Sequence, residues 1–124
     1  MKEKVMCYYR QGYNCSQCIL MAAAELYAFP LSEGTLNSCG AVNNGFGIGG
    51  ICSALVGAVL VFGIMFSAER AKNLRLQLFL RFHEDYESLN CCTLSACQEN
   101  CEGVLAEVAE LTEELICSEK KVGG

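Results

Sequence analysis

Apolar residues recur with a helical period along much of the chain. The clearest case runs from about 68 to 88, where the apolar positions lie three and four residues apart: Ala71, Leu74, Leu78, Phe82 and Tyr86. A second such segment spans about 98–117, with a row of glutamates on the face opposite Val104, Leu105, Val108, Leu111 and Leu115. This spacing is typical of helices that bury one face. We therefore predict two amphipathic helices here, and we expect the glutamates, Glu107 among them, to be solvated.

Shorter helices are predicted in the first part of the chain. One covers 2–11, and the next begins after Asn14, which is a good N-cap residue. Gln17 stands three positions later and completes a variant of the capping box. This second helix runs as far as the residues before Pro30. One or two helical turns are predicted over 34–42, ahead of a glycine-rich loop.

A nearly all-apolar helix is predicted from about 50 to 66. No charged residue occurs between Thr35 and Ala68, and a run of that length satisfies the length rule for a membrane span. The amphipathic neighbours, however, need a partner to cover their apolar faces, and a central helix that touches protein on every side supplies one. No segment alternates with period two. We predict an all-α, compact single-domain helical bundle covering 1–124, built around this helix. An exposed apolar face on it would suit a homodimer.

Charge and motif context exclude several functions. The net charge is −5 and no basic cluster is present, which argues against nucleic acid as a partner. The stretch "GFGIGG" at 45–50 matches a Gly-x-Gly-x-x-Gly dinucleotide loop, but no buried strand precedes it. The N-terminus "MKEKVMCYYRQGYNCSQC" lacks the apolar region of a signal peptide. The expected compartment is therefore the cytoplasm.

Cysteine is the residue type that points to chemistry. The chain has ten cysteines, which in the cytoplasm more often bind metal or carry out redox chemistry than form structural disulfides. Others are expected to be buried packing residues. Cys52 falls in the first turn of the apolar helix, where the helix dipole favours a thiolate. Cys15 holds the same position in the second helix. Cys18 follows it by one turn, a Cys-x-x-Cys spacing that serves redox couples and metal sites.

The other cysteines fall into two groups. Cys97 and Cys101 would share one helix face, and only one of the adjacent Cys91 and Cys92 is expected to be functional. Three cysteines stand alone and are expected to pack: Cys7, Cys39 and Cys117. The single histidine, His83, lies in a charged stretch and is expected to be solvated. The sequence therefore gives little support to a histidine-based zinc site or to a catalytic cysteine–histidine pair.

Four segments resemble the C_GCAxxG_C_C family of redox-active proteins: "YNCSQ", "GFGIGGICSALVGAVLVFGI", "NCCTL" and "CEGVLAEVAELTEEL". The resemblance runs from about Tyr9 to Leu115. The family is marked by four cysteines, one of them in a Cys-Gly-Ala-x-x-Gly motif behind a glycine-rich loop. The resemblance assigns these four to Cys15, Cys52, Cys91 and Cys101. In this chain Ser53 replaces the glycine after the motif cysteine. A literal Cys-Gly-Ala occurs at 39–41, but its next glycine comes one residue late.

Two functions are compatible with these residues. The first is a cytoplasmic thiol redox protein, such as a thiol–disulfide oxidoreductase, acting on a redox partner protein. Cys15 and Cys52 would supply thiolates, and Cys91 and Cys101 would resolve them or form a second couple. The second is a protein without activity of its own, in which the same four thiolates bind an iron–sulfur cluster or zinc. Two further residues are possible ligands in that case: Cys18 and Cys97. A membrane or interaction protein anchored by 46–66 is the least favoured alternative.

Overall fold

Most of the described part of the chain is helical. The computed structural model describes residues 1–42, 48, 50–86, 89 and 102–123, and within these ranges no β-strand occurs. The helices are α1 (Lys2–Arg10), α2 (Cys15–Tyr27), α3 (Glu33–Ser38), α4 (Ser53–Met65), α5 (Ala68–Tyr86) and α6 (Glu102–Gly123). A short 3-10 turn, Cys39–Ala41, follows α3. The predicted all-α fold is confirmed.

Helix α4 lies at the centre of the bundle. It packs against α2, α5 and α6, and its side chains of zero exposure are Ala54, Leu55, Ala58, Val61 and Phe62. The prediction of a central apolar helix is therefore confirmed. The expectation that it touches protein on every side is wrong, because Leu60 and Ile64 are 39% and 43% exposed. Among the described residues, the neighbouring helices leave this side of α4 uncovered.

Helices α5 and α6 follow the predicted amphipathic pattern. On α5, the buried residues are Ala71, Leu74, Leu78 and Phe82, while Tyr86 is half-buried and stacks on Phe82 with ring centroids 4.6 Å apart. All five predicted inward positions of α6 are buried. This helix continues to Gly123, beyond the predicted end at 117. Lys120 and Lys121 lie in its last turn, where positive charge favours helix.

The predicted start of the last helix, at 98, lies outside the described residues. In the ranges that the structure describes, no helix has the length and apolar character needed to cross a membrane.

Candidate functional site

The start of α2 presents Cys15 as its first helical residue. The N-cap Asn14 accepts a hydrogen bond from the Gln17 backbone N–H at 3.0 Å, and its own N–H donates to Gln17 Oε1 at 3.2 Å. The predicted capping box is therefore present. Ser16 Oγ also donates to Asn14 Oδ1, at 2.7 Å. Cys15 is thus held at the positive end of a well-ordered helix start.

The same cap joins α2 to the α3 region. Asn14 Nδ2 donates to the Cys39 carbonyl at 3.1 Å, and Gln17 Nε2 donates to the Leu36 carbonyl at 3.1 Å. Cys39 is 1% exposed and belongs to the core, and its Sγ lies 3.6 Å from the Thr35 carbonyl oxygen. Cys39 therefore packs, as expected from the sequence.

Cys52 is the N-cap residue of α4, one position before the helix itself. Its carbonyl accepts the N–H of Val56 at 3.2 Å, the first hydrogen bond of the helix. Its own N–H donates to the carbonyl of Leu89 at 2.9 Å. The side chain is 7% exposed. Cys52 was predicted within the first turn, and the structure places it at the boundary, where the positive end of the helix still acts on it.

A glycine brings the two helix starts together. A Cβ built on Gly57 would lie 2.8 Å from both Cα and the carbonyl oxygen of Ser16, and 3.2 Å from Cβ of Ile19. No real side chain tolerates such distances to backbone atoms, so only glycine permits this approach of α2 to α4. Gly57 lies five residues after Cys52, which is about 7.5 Å along a helix axis. Ser16 directly follows Cys15.

Cys18, the second cysteine of the Cys-x-x-Cys pair, has a different environment. Its side chain has zero exposure, and its Sγ lies 3.5 Å from the Tyr13 carbonyl oxygen. Burial raises the pKa of the Cys18 thiol to about 11, because the charged form loses its hydration. Cys18 is therefore a neutral packing thiol at physiological pH.

Several predicted site residues lie outside the described part of the chain. They are Cys91, Cys92, Cys97 and Cys101. Within the described ranges, no three His, Cys, Asp or Glu side chains are placed to hold a metal ion. Because two of the four predicted ligands fall outside those ranges, the metal hypothesis stays a prediction. His83 is exposed, as expected. The expectation that Cys7 and Cys117 pack is wrong, because both side chains lie on exposed positions of α1 and α6.

Two contacts of this region were not predicted from the sequence. The hydrogen bond from Cys52 to Leu89 joins residues far apart in the chain, and no local pattern indicates it. Glu107, which was expected on a solvated face, lies beside Asp85 of α5 instead. The pKa of the Glu107 carboxyl is raised, chiefly because partial burial disfavours its charged form. A hydrogen bond with Asp85 and repulsion by the Asp85 charge raise the pKa further.

These features define the chain as a helical protein with cysteines at the starts of two packed helices. A family model described as "Putative redox-active protein (C_GCAxxG_C_C)" matches residues 13–115. The match covers most of the 124 residues, and the chain belongs to this family. The predicted resemblance is confirmed. Neither a curated protein nor a solved structure matches the chain.

Proposed function

We propose that this protein is a thiol redox protein whose Cys52 forms a reversible disulfide with another of the four family cysteines, with Cys91 as its expected partner. Cys15, at the start of α2, is the second reactive thiol. Cys101 belongs to the same set. The observation that carries the proposal is the setting of Cys52, which caps α4 and donates its N–H to the carbonyl of Leu89.

Helix position favours thiolate chemistry at Cys52 and Cys15. The first N–H groups of a helix lack intrahelical partners, and with the helix dipole they stabilise a nearby negative charge. A helix N-terminus is one of the settings that favour a thiolate, and the thiolate is the form that attacks a disulfide. Cys18 lies one turn after Cys15 in α2, and burial raises the pKa of its thiol to about 11. We therefore exclude Cys18 from the proposed couple.

Chain connectivity supports Cys91 as the partner of Cys52. Leu89 precedes Cys91 by two residues, and two residues of chain span at most about 7 Å. The carbonyl of Leu89 lies 2.9 Å from the nitrogen of Cys52. Chain connectivity therefore allows Cys91 to approach Cys52 to the Cα–Cα distance that a disulfide requires, about 4.4–6.8 Å.

The proposed reaction is thiol–disulfide exchange with a partner that carries a disulfide. One thiolate of this protein attacks the partner's disulfide, a mixed disulfide forms, and one partner sulfur leaves as a thiolate. A second cysteine of this protein then attacks the mixed disulfide and releases the partner as a dithiol. Two thiols of this protein become one disulfide, and the partner's disulfide is reduced by two electrons and two protons.

Thiol counting in glutathione redox buffers tests this function. After alkylation, the intact mass should show that two thiols are lost in one reversible step. Cys52→Ser should abolish that step, whereas the matched variant Cys117→Ser, at an exposed cysteine outside the four, should leave it unchanged. Unchanged thiol loss in Cys52→Ser would overturn the assignment.

The same four cysteines make up the ligand set of the alternative, an iron–sulfur or zinc site. Anaerobic purification followed by metal analysis and a visible spectrum separates the two functions. We expect a colourless, metal-free protein with all ten thiols reactive once it is unfolded. A stoichiometric metal content that falls in Cys52→Ser but not in Cys117→Ser would favour the binding protein instead.

A further inference from the structure

Helices α4 and α5 each carry large apolar side chains that the described part of the chain leaves exposed. They are Leu60 and Ile64 on α4, at 39% and 43% exposure, and Leu76 and Leu80 on α5, at 56% and 58%. A shallow groove of about 220 Å³ lies between the two helices. The groove is lined by Ile51, Val56, Val59, Leu60, Arg75 and Phe79. We call Leu60, Ile64, Leu76 and Leu80, with this groove, the α4–α5 surface.

Charged residues at both ends of the exposed leucines distinguish this surface from a random apolar patch. Lys72, Leu76, Leu80 and Glu84 are all exposed and follow one another at intervals of four, so they form one ridge along α5. The ridge has a positive end, an apolar middle and a negative end. Neither Lys72 nor Glu84 forms a salt bridge with any residue that the structure describes, whereas Arg81 of the same helix is paired with Glu114 at 2.6 Å.

This ridge is complementary in charge to a second copy of itself that runs antiparallel. In the commonest class of helix packing, the ridges formed by every fourth residue of two helices align, and the helices cross at about 50°. A two-fold axis perpendicular to the aligned ridges would reverse one of them. Lys72 would then face Glu84 of the second copy, and Leu76 would face its Leu80. A two-fold interface repeats each contact, so the Lys72–Glu84 salt bridge forms twice, once on each side of the apolar centre.

We propose that the α4–α5 surface is the interface of a homodimer in which two α5 helices cross antiparallel. The parallel arrangement is disfavoured because it aligns lysine with lysine and glutamate with glutamate. The leucines supply the apolar area, and the charged ends set the orientation. The proposal does not depend on the redox chemistry of the cysteines, because none of its residues is a cysteine.

Charge exchange tests both the dimer and its orientation. Sedimentation over a range of concentrations should show a monomer–dimer equilibrium for the unaltered chain. Each single variant, Lys72→Glu or Glu84→Lys, should weaken the dimer about tenfold or more, because it replaces both salt bridges by pairs of like charge. A tenfold change corresponds to about 1.4 kcal/mol. The double variant K72E/E84K should recover the original affinity, because it restores opposite charges at both ends.

Substitution of the leucines completes the test. Leu76→Glu should abolish the dimer, while Leu26→Glu, at a leucine of α2 with 40% exposure, should not. Far-UV circular dichroism of each variant at low concentration checks that the fold is intact. A chain that stays monomeric at every soluble concentration overturns the proposal. A dimer affinity that is unchanged by Leu76→Glu also overturns the proposal. A double variant that dimerises as weakly as the single variants overturns the antiparallel arrangement.

Discussion

Ser16 and Gly57 bring the start of α2 against α4 at a distance that no side chain on residue 57 would allow. A Cβ on Gly57 would stand 2.8 Å from both Cα and the carbonyl oxygen of Ser16. Cys15 immediately precedes Ser16, and Cys52 begins the helix that carries Gly57. The missing side chain of Gly57 therefore allows the close approach between the start of α2 and the helix that follows Cys52.

Gly57→Ala should lower the free energy of unfolding. The added methyl group clashes with backbone atoms that cannot move aside, and overpacking of this kind costs about 1–3 kcal/mol. Alanine's better helix propensity offsets up to about 1 kcal/mol of that loss. Urea denaturation of both proteins measures the difference.

Gly63→Ala is the matched control on the same helix. A Cβ at Gly63 meets nothing within 4 Å, so only the helix propensity changes and the variant should be more stable by about 0.5–1 kcal/mol. The two substitutions should therefore have opposite signs. Equal stabilisation by both would mean that Ser16 does not press against Gly57.

Glu107→Gln should stabilise the protein more at pH 7 than at pH 4. The pKa of Glu107 is raised in the folded state, chiefly by burial and then by Asp85. The folded protein therefore binds this proton more tightly than the unfolded chain, and the stability it contributes is lost as the pH rises from about 4.3 through the folded pKa. Glutamine carries no charge at either pH, so the variant does not lose this stability as the pH rises. We expect a gain at pH 7 of about 0.5 kcal/mol or less for such a partly exposed group.

A double-mutant cycle with Asp85→Asn checks the cause. If the two carboxyl groups repel each other, either single substitution relieves the contact and the second adds less than the first. Urea denaturation at pH 4 and pH 7 supplies the numbers. Strict additivity, or a gain for Glu107→Gln that is the same at both pH values, would contradict this account of the contact.

The cysteines should differ sharply in their rate of alkylation. With a pKa of about 11, the Cys18 thiol is ionised to only about one part in a thousand at pH 8, and its side chain has zero exposure. Cys7 and Cys117 are exposed. Iodoacetamide followed by peptide mass spectrometry should label Cys7 and Cys117 in the folded protein and Cys18 only after unfolding. Labelling of Cys18 at the rate of Cys7 in the folded protein would show that the Cys18 thiol is accessible and contradict its burial.

Local signals in the sequence were sufficient to predict the helices. The Asn14–Gln17 capping box depends on residues three apart, and the inward face of α5 depends on spacings of three and four, so both can be read without tertiary information. Helix patterns alone also indicated Cys15 and Cys52, and the structure puts both at helix starts. The family resemblance added Cys91 and Cys101.

Tertiary features were harder to predict, for physical reasons. A helix that is apolar all round gives no sign of which face is covered, so the exposure of Leu60 and Ile64 could not be anticipated. The contact of Glu107 with Asp85 depends on how α6 packs against α5. Cys18 looks equivalent to Cys15 in the Cys-x-x-Cys pattern, and only its burial distinguishes it.

Disulfide mapping of the oxidised protein tests the proposed redox function most directly. The experiment equilibrates Cys92→Ser protein with oxidised glutathione, alkylates the remaining thiols and identifies the linked peptides, and the substitution removes the ambiguity between the adjacent cysteines 91 and 92. Our account predicts a peptide in which Cys52 is linked to Cys91 and which disappears on reduction with dithiothreitol. Oxidised protein in which Cys52 is still alkylated as a thiol would contradict it.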